Sequence, residues 1–288
     1  IPAPQINILR PARVGKGQAQ AQVLLLGDTH AGRLTSSYNP AVFKSRLENL
    51  FHNLTVIQKL QTRQHPLETL YIFGMGDTIQ GENVGQQMDL DELALPLYDQ
   101  VYNLWVPAMV SFLISLLQVY QKVHYVGVKG NHGKTGKPVS SRSTNWDIVA
   151  QKSLASTLAK YPDIDFEIEP VSFYKLVDIL GWRFMLTHGD IIRMNYTLPY
   201  YGLDRKSARW AHEFGHIDAF CFGHFHSPAR WEPWGVPLLV NGTFVTDDEY
   251  AIGTIGTSGK PRQVTFGVCR DRPITWYYEL DLDRKGEA

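Results

Sequence analysis

QVLLLGDTH, residues 22–30, decides how this chain is read. Four consecutive aliphatic residues, Val23 to Leu26, stop at Gly27, and Asp28 and His30 follow at once. A short apolar run closed by glycine reads as a buried strand, so both polar groups fall at the strand's end. The pattern recurs. Gly76-Asp77 follows LYIFGM, Gly130-Asn131-His132 follows VHYVGVK, Thr187-His188-Gly189-Asp190 follows WRFML, and Gly223-His224-Phe225-His226 follows DAFCF. These motifs hold five of the ten histidines. Together they are the ligand set of a two-metal hydrolytic site, distributed over the ends of several strands.

The residue types suit that chemistry. Divalent manganese, iron and zinc accept imidazole nitrogen together with carboxylate or amide oxygen. Two such ions, roughly 3.5–4 Å apart, can clamp the attacking and leaving oxygens of a phosphoryl transfer and lower the pKa of a shared water. One carboxylate has to bridge them, and an Asp beside a glycine at a strand end is suited to it. A single histidine in a loop is usually only hydrogen-bonded or solvated. His52, His65 and His124 are read that way, and His212 and His216 as structural residues in or just past a helix.

Outward from residue 22 the chain alternates strand and helix. Asn39-Pro40 supplies a helix N-cap and first turn, and Phe43, Leu47, Leu50, Leu54 and Ile57 form an apolar stripe. Strands are expected at Thr69–Phe73 and His124–Val128, with a long helical region, Glu92–Gln121, between them and a bend at Pro107. A helix at Trp146–Lys160 follows, then strands at Asp165–Glu169, Tyr174–Ile179 and Arg183–Leu186, a helix near Asp204–Glu213 and a strand at Ala219–Phe222. The fold class is α/β, a four-layer α/β/β/α sandwich of two mixed β-sheets flanked by helices. Residues 1–21 read as an irregular lead-in and 22–288 as a single domain with a β-rich C-terminal part. Gly253, Gly256 and Gly259 mark a flexible connection.

With 288 residues, 44% hydrophobic and 19% charged, the chain suits one large domain. Its formal net charge is zero, so no global field draws it to nucleic acid and any such grip must be local. Two cysteines, Cys221 and Cys269, make no disulfide framework and read as free thiols of a reducing compartment. No secretory signal is visible, and the apolar stretch Leu104–Leu117 is too short to span a bilayer. The expectation is a soluble, cytoplasmic protein without membrane contact.

The order and wording of the motifs resemble the calcineurin-like metallophosphoesterase family, whose pattern runs GDxH, GD, GNH, H, GHxH. The resemblance covers about residues 22 to 245. It implies a first metal held by Asp28, His30, Asp77 and His226, and a second held by Asn131, His188 and His224, with Asp77 bridging. It implies that His132 is the imidazole that contacts the phosphate or protonates the leaving oxygen. Two departures matter. The second motif reads GDTIQG and not GDxVDRG, so the arginine of the family's protein phosphatases is missing. Gly133 follows His132 where those enzymes carry an acid, which leaves the orientation of His132 to another group; Asp147 is a candidate.

Loops choose the substrate. Gly133–Asn145 carries Lys134, Lys137 and Arg142 and no acid. Ile191–Arg209 combines Arg193, Arg205, Lys206 and Arg209 with Tyr196, Tyr200 and Tyr201. Cations interleaved with aromatic rings are what single-stranded nucleic acid needs. The sequence therefore points to a nuclease or phosphodiesterase acting on DNA, single-stranded favoured. Its substrate-binding residues would be Lys134, Lys137, Arg142, Arg193 and Arg205, and its two metals manganese, with iron and zinc compatible. The alternatives are a small-molecule phosphatase or phosphodiesterase using the same site, and a metal-binding module that has lost catalysis.

Overall fold

Every second residue of the first strand faces a different core, and that sets the layering. The computed structural model describes residues 15–82, 90–135, 144–193, 199–247 and 260–283. In β1, Gln20–Leu26, the side chains of Leu24 and Leu26 enter one apolar cluster and those of Ala21, Val23 and Leu25 another. A strand buried on both faces is central to its sheet and reads as a continuous apolar run.

The first sheet has six strands in the order β11-β10-β1-β2-β3-β4. Strands β2 (Leu67–Gly74), β3 (Lys122–Gly127) and β4 (Ile164–Ile168) extend it in parallel from β1. Strands β10 (Arg262–Val268) and β11 (Tyr277–Asp281) close its other side antiparallel. The second sheet has five strands in the order β5-β6-β7-β9-β8. Strands β6 (Trp182–Thr187), β7 (Ala219–Phe222) and β9 (Leu238–Val240) run parallel. The edges β5 (Tyr174–Ile179) and β8 (Ala229–Trp231) run against their neighbours.

Three cores separate four layers. One lies between the sheets, where Val23, Leu25, Phe73, Val126, Phe184 and Phe266 meet. A second covers the outer face of the first sheet with helices α1 (Pro40–Thr62), α2 (Val106–Leu116) and α3 (Trp146–Leu158). The third seats helix α4 (Tyr200–Phe214) on the second sheet through Leu203 and Trp210. The expected α/β/β/α sandwich of two mixed sheets is the fold of this chain.

Helix α1 starts where Asn39 and Pro40 predict. The Asn39 side chain accepts from the N–H groups of Ala41 and Val42 at 2.9 and 3.1 Å, and all five stripe residues are buried. The next helical region differs from expectation. Its break is a π-helical stretch, Gln100–Trp105, directly before α2, with Pro107 in the first turn of α2. The Val106 N–H bonds the carbonyl of Val101, five residues back, which is the wider winding of a π turn. Strand β1 also begins two residues earlier than expected, at Gln20, where the Gln20 N–H bonds Pro66 O at 2.9 Å. Helix α4 starts at Tyr200, so Tyr200, Tyr201, Arg205, Lys206 and Arg209 lie on a helix and not on a loop. Gly253, Gly256 and Gly259 lie outside the described residues. Among the described residues no helix is long and apolar enough to cross a membrane.

Candidate metal centre

Parallel strands deliver their C-terminal ends to one side of a sheet, and here both sheets do so at the same seam. Asp28 and His30 follow β1, Asp77 follows β2, and Asn131 and His132 follow β3. From the second sheet, His188 follows β6, and His224 and His226 follow β7. The Asp28 carboxylate joins the sheets by accepting the His224 N–H at 3.0 and 3.1 Å. All eight residues predicted at the centre are placed at this seam.

The backbone there is strained. Asp28, His30, Asp77, His224 and His226 have φ between 42° and 72°. Among the described residues only Leu180 and Asp247 share that region without being glycine. Holding a residue with a Cβ there costs roughly 1–2 kcal/mol, and such outliers persist where surrounding structure over-determines them. Close approach adds a demand for glycine: a Cβ on Gly130 would collide with the Asp77 carboxylate and backbone nitrogen.

Potential ligand atoms converge in three overlapping groups, each within 4.8 Å: Asp28, His30 and His226; His30, Asp77 and His132; and Asp77, His188 and His224. His30 Nε2 lies 3.2 Å from His226 Nε2, which is 3.3 Å from an Asp28 oxygen. His188 Nε2 lies 3.1 Å from Asp77 Oδ2 and 2.9 Å from Asn131 Oδ1. Asp77 thus stands between two sets of donors. Asp28, His30, Asp77 and His188 are each no more than 2% exposed. Carboxylates and imidazoles buried this deep, with lone pairs converging, fit divalent cations.

Two imidazoles are oriented from behind. His188 Nδ1 donates to the Met75 carbonyl at 2.8 Å, and His30 Nδ1 faces Gln80 Oε1 at 2.9 Å. Each therefore turns Nε2 into the centre, the usual backing of a metal-ligating histidine. Electrostatics follow from the crowding. Burial would raise the Asp77 carboxyl, but His188, His132 and His30 together hold it well below the usual carboxylate range. Burial would lower His188, yet Asp77 pushes it up to about 10. Burial and the neighbouring His188 push His224 down to about 4. Burial and His132 lower His30 in the same way.

Asp147 does not orient His132. It is fully buried in the first turn of α3. Its carboxylate accepts the N–H groups of Asp77, Thr78 and Gly130 at 3.1, 2.9 and 2.7 Å, and the Thr78 hydroxyl at 2.7 Å. It braces the two loops that carry Asp77 and Asn131. His132 Nδ1 instead donates to the main-chain carbonyl of Gln80 at 3.0 Å. Sequence reasoning missed Gln80, because a glutamine in a polar loop carries no pattern of its own.

The expected substrate cations are less gathered. Lys134 pairs with Asp190 at 2.8 Å. Arg193 is exposed just past the His188 loop, and Arg205 is exposed on α4. Lys137, Arg142 and Tyr196 lie outside the described residues. Of the other histidines, His124 stacks on Tyr71 and faces Asp165 at 3.0 Å, and His216 faces Asp218 at 2.7 Å.

Two mixed sheets thus gather Asp, Asn and His at the ends of their parallel strands, in the chain order on which the sequence resemblance to the calcineurin-like metallophosphoesterases rests. No family model matches the chain, and no curated protein does. Among solved structures it is similar to a novel archaeal phosphodiesterase, at 13% identity over 90% of this chain and 99% of that one, TM-score 0.42. It is similar to zinc-complexed Vps29 from Entamoeba histolytica, at 12% identity over 91% and 99%, TM-score 0.39. A hypothetical protein from Pyrococcus horikoshii is similar at 10% identity over 92% and 90%, TM-score 0.44.

Proposed function

We propose that this chain is a metal-dependent phosphoester hydrolase with a dinuclear centre, acting as a nuclease or phosphodiesterase on DNA, single strands favoured. The observation that carries the reading is the place of Asp77, shared by the His30 group and the His188–His224 group. Asp28, His30, Asp77 and His226 would hold one divalent ion, and Asp77, Asn131, His188 and His224 the other. Manganese is favoured, with iron and zinc compatible. When bound, such a pair supplies an activated water and neutralises charge at phosphorus.

The protein's own part is positioning and proton transfer. Asp77 holds the two halves in register through the His132 N–H, which it accepts at 2.8 Å, and through His188. With Nδ1 of His132 committed to the Gln80 carbonyl, Nε2 is the nitrogen that exchanges a proton. It donates that proton to the leaving oxygen as the phosphoester bond breaks. Arg193 and Arg205, with the exposed rings of Tyr200 and Tyr201, supply phosphate contacts and stacking faces for a single strand.

A second reading, a small-molecule phosphatase or phosphodiesterase, draws support from the Lys134–Asp190 ion pair, which commits one cation otherwise offered to a polymer. The deciding assay is manganese-dependent hydrolysis of end-labelled single- and double-stranded DNA beside a small aryl phosphate, with Asp77→Asn as control. Metal-dependent cutting that the variant lacks is expected. Hydrolysis of the aryl phosphate alone moves the assignment to the small-substrate reading.

A further inference from the structure

Gln80 touches two imidazoles of the centre with two different groups. Its side-chain Oε1 lies 2.9 Å from His30 Nδ1, and its main-chain oxygen lies 3.0 Å from His132 Nδ1. The two rings stand edge to face with centroids 4.6 Å apart. An amide carbonyl oxygen can only accept, so each contact requires a proton on Nδ1. Gln80 is 1% exposed, and its own N–H is spent on the Ala31 carbonyl at 3.1 Å. Its backbone is fixed on the far side too. Gly81, at φ 74°, donates its N–H to Gln100 Oε1 at 2.8 Å, and Gln100 sits on the π-helical stretch.

We infer that Gln80 is a positioning residue that sets the tautomer of both imidazoles, so that His30 and His132 each present Nε2 to the centre. This rests on the metal-centre reading for its consequence, but the tautomers themselves do not. The two contacts divide the labour. The side-chain contact serves a ligand, and its loss should weaken one metal site. The main-chain contact serves the proton donor and survives any substitution that keeps the backbone in place.

Long-range proton–nitrogen NMR on the histidine side chains of the whole chain reads this directly, in chelator and with zinc alone. The expected result is Nδ1–H on both His30 and His132, with the His30 Nε2 resonance moved by zinc. A neutral ring at either position that carries its proton on Nε2 in place of Nδ1 overturns the inference. The variants add an independent arm. Gln80→Leu should bind one zinc about 10–100-fold more weakly and the other as before, whereas Gln80→Glu, which keeps an acceptor, should restore the affinity. Wild-type affinity at both sites in Gln80→Leu, or a Gln80→Glu chain as weak as Gln80→Leu, overturns it. A wild-type chain that binds no zinc would instead sink the metal-centre reading, and the tautomers measured in chelator would still decide what Gln80 does.

Discussion

Burial pushes the pKa of both His188 and His224 down, but the Asp77 carboxylate overcomes it at His188 and the charge of His188 adds to it at His224. His188, against Asp77, is raised from 6.5 to about 10, and its contribution to metal-free stability is complete below 6.5 and lost as pH climbs through 10. His224 is lowered from 6.5 to about 4, so the unfolded chain takes up that proton first and stability falls as pH drops from 6.5 toward 4. These two groups together predict a metal-free chain whose melting temperature peaks near pH 6.5. Thermal unfolding in chelator at pH 4.5, 6.5 and 9 tests this; a steady rise through pH 9 would contradict it. A bound ion takes the place of the His188 proton, so with metal present the alkaline loss should shrink. Such residues were readable in the sequence as polar ends of apolar runs. Gln80 was not, since its role comes from a turn that brings Ile79 and Gly81 against other segments, and no spacing records that.

At the scale of elements, helix α3 matters to the centre without touching a ligand nitrogen or oxygen. Its first-turn Asp147 gathers three backbone N–H groups and one hydroxyl from two separate loops, and its negative charge suits a helix N-terminus. Asp147→Asn keeps the size but turns an amide N–H₂ toward buried donors. Leaving such donors unsatisfied costs about 1–3 kcal/mol each, so a loss of about 3 kcal/mol is expected in a urea titration with chelator present. Metal affinity should fall as well, because Asp77 and Gly130 lose their brace. Unchanged stability would mean the loops hold themselves. The helix itself was legible in the sequence, expected at Trp146–Lys160 and found at Trp146–Leu158. What Asp147 braces was not, because a first-turn acid looks the same whether it meets solvent or two buried loops. The π-helical stretch was hidden for a related reason: the run around Trp105 is apolar in either winding, so hydrophobic period does not separate five-residue from four-residue hydrogen bonding.

At the scale of the molecule, the residues proposed as ligands come from both sheets, so an ion bound there would tie the two halves of the sandwich together. Ligands that bind only the folded state stabilise it by mass action, about 4 kcal/mol at a thousandfold excess over Kd. Adding manganese or zinc to the chelated chain should therefore raise its melting temperature in one cooperative transition. Asp77→Asn should lose most of that rise, while His132→Ala should keep it and lose turnover. Equal loss in both would break the division between ligand and proton donor. The four-layer architecture was legible because strand-like runs and one helical stripe alternate early and strands dominate late. The sheet order was not, since β10 reaches β1 across more than two hundred residues of chain.

That last pairing has a consequence for synthesis. A ribosome delivers β1 long before its neighbour β10, with His224 and His226 arriving between them. Until residue 268 has emerged, β1 carries one bare edge in the middle of the future sheet. Until β10 is made, Asp28 and His30 sit at the end of a strand that still lacks one of its two partners.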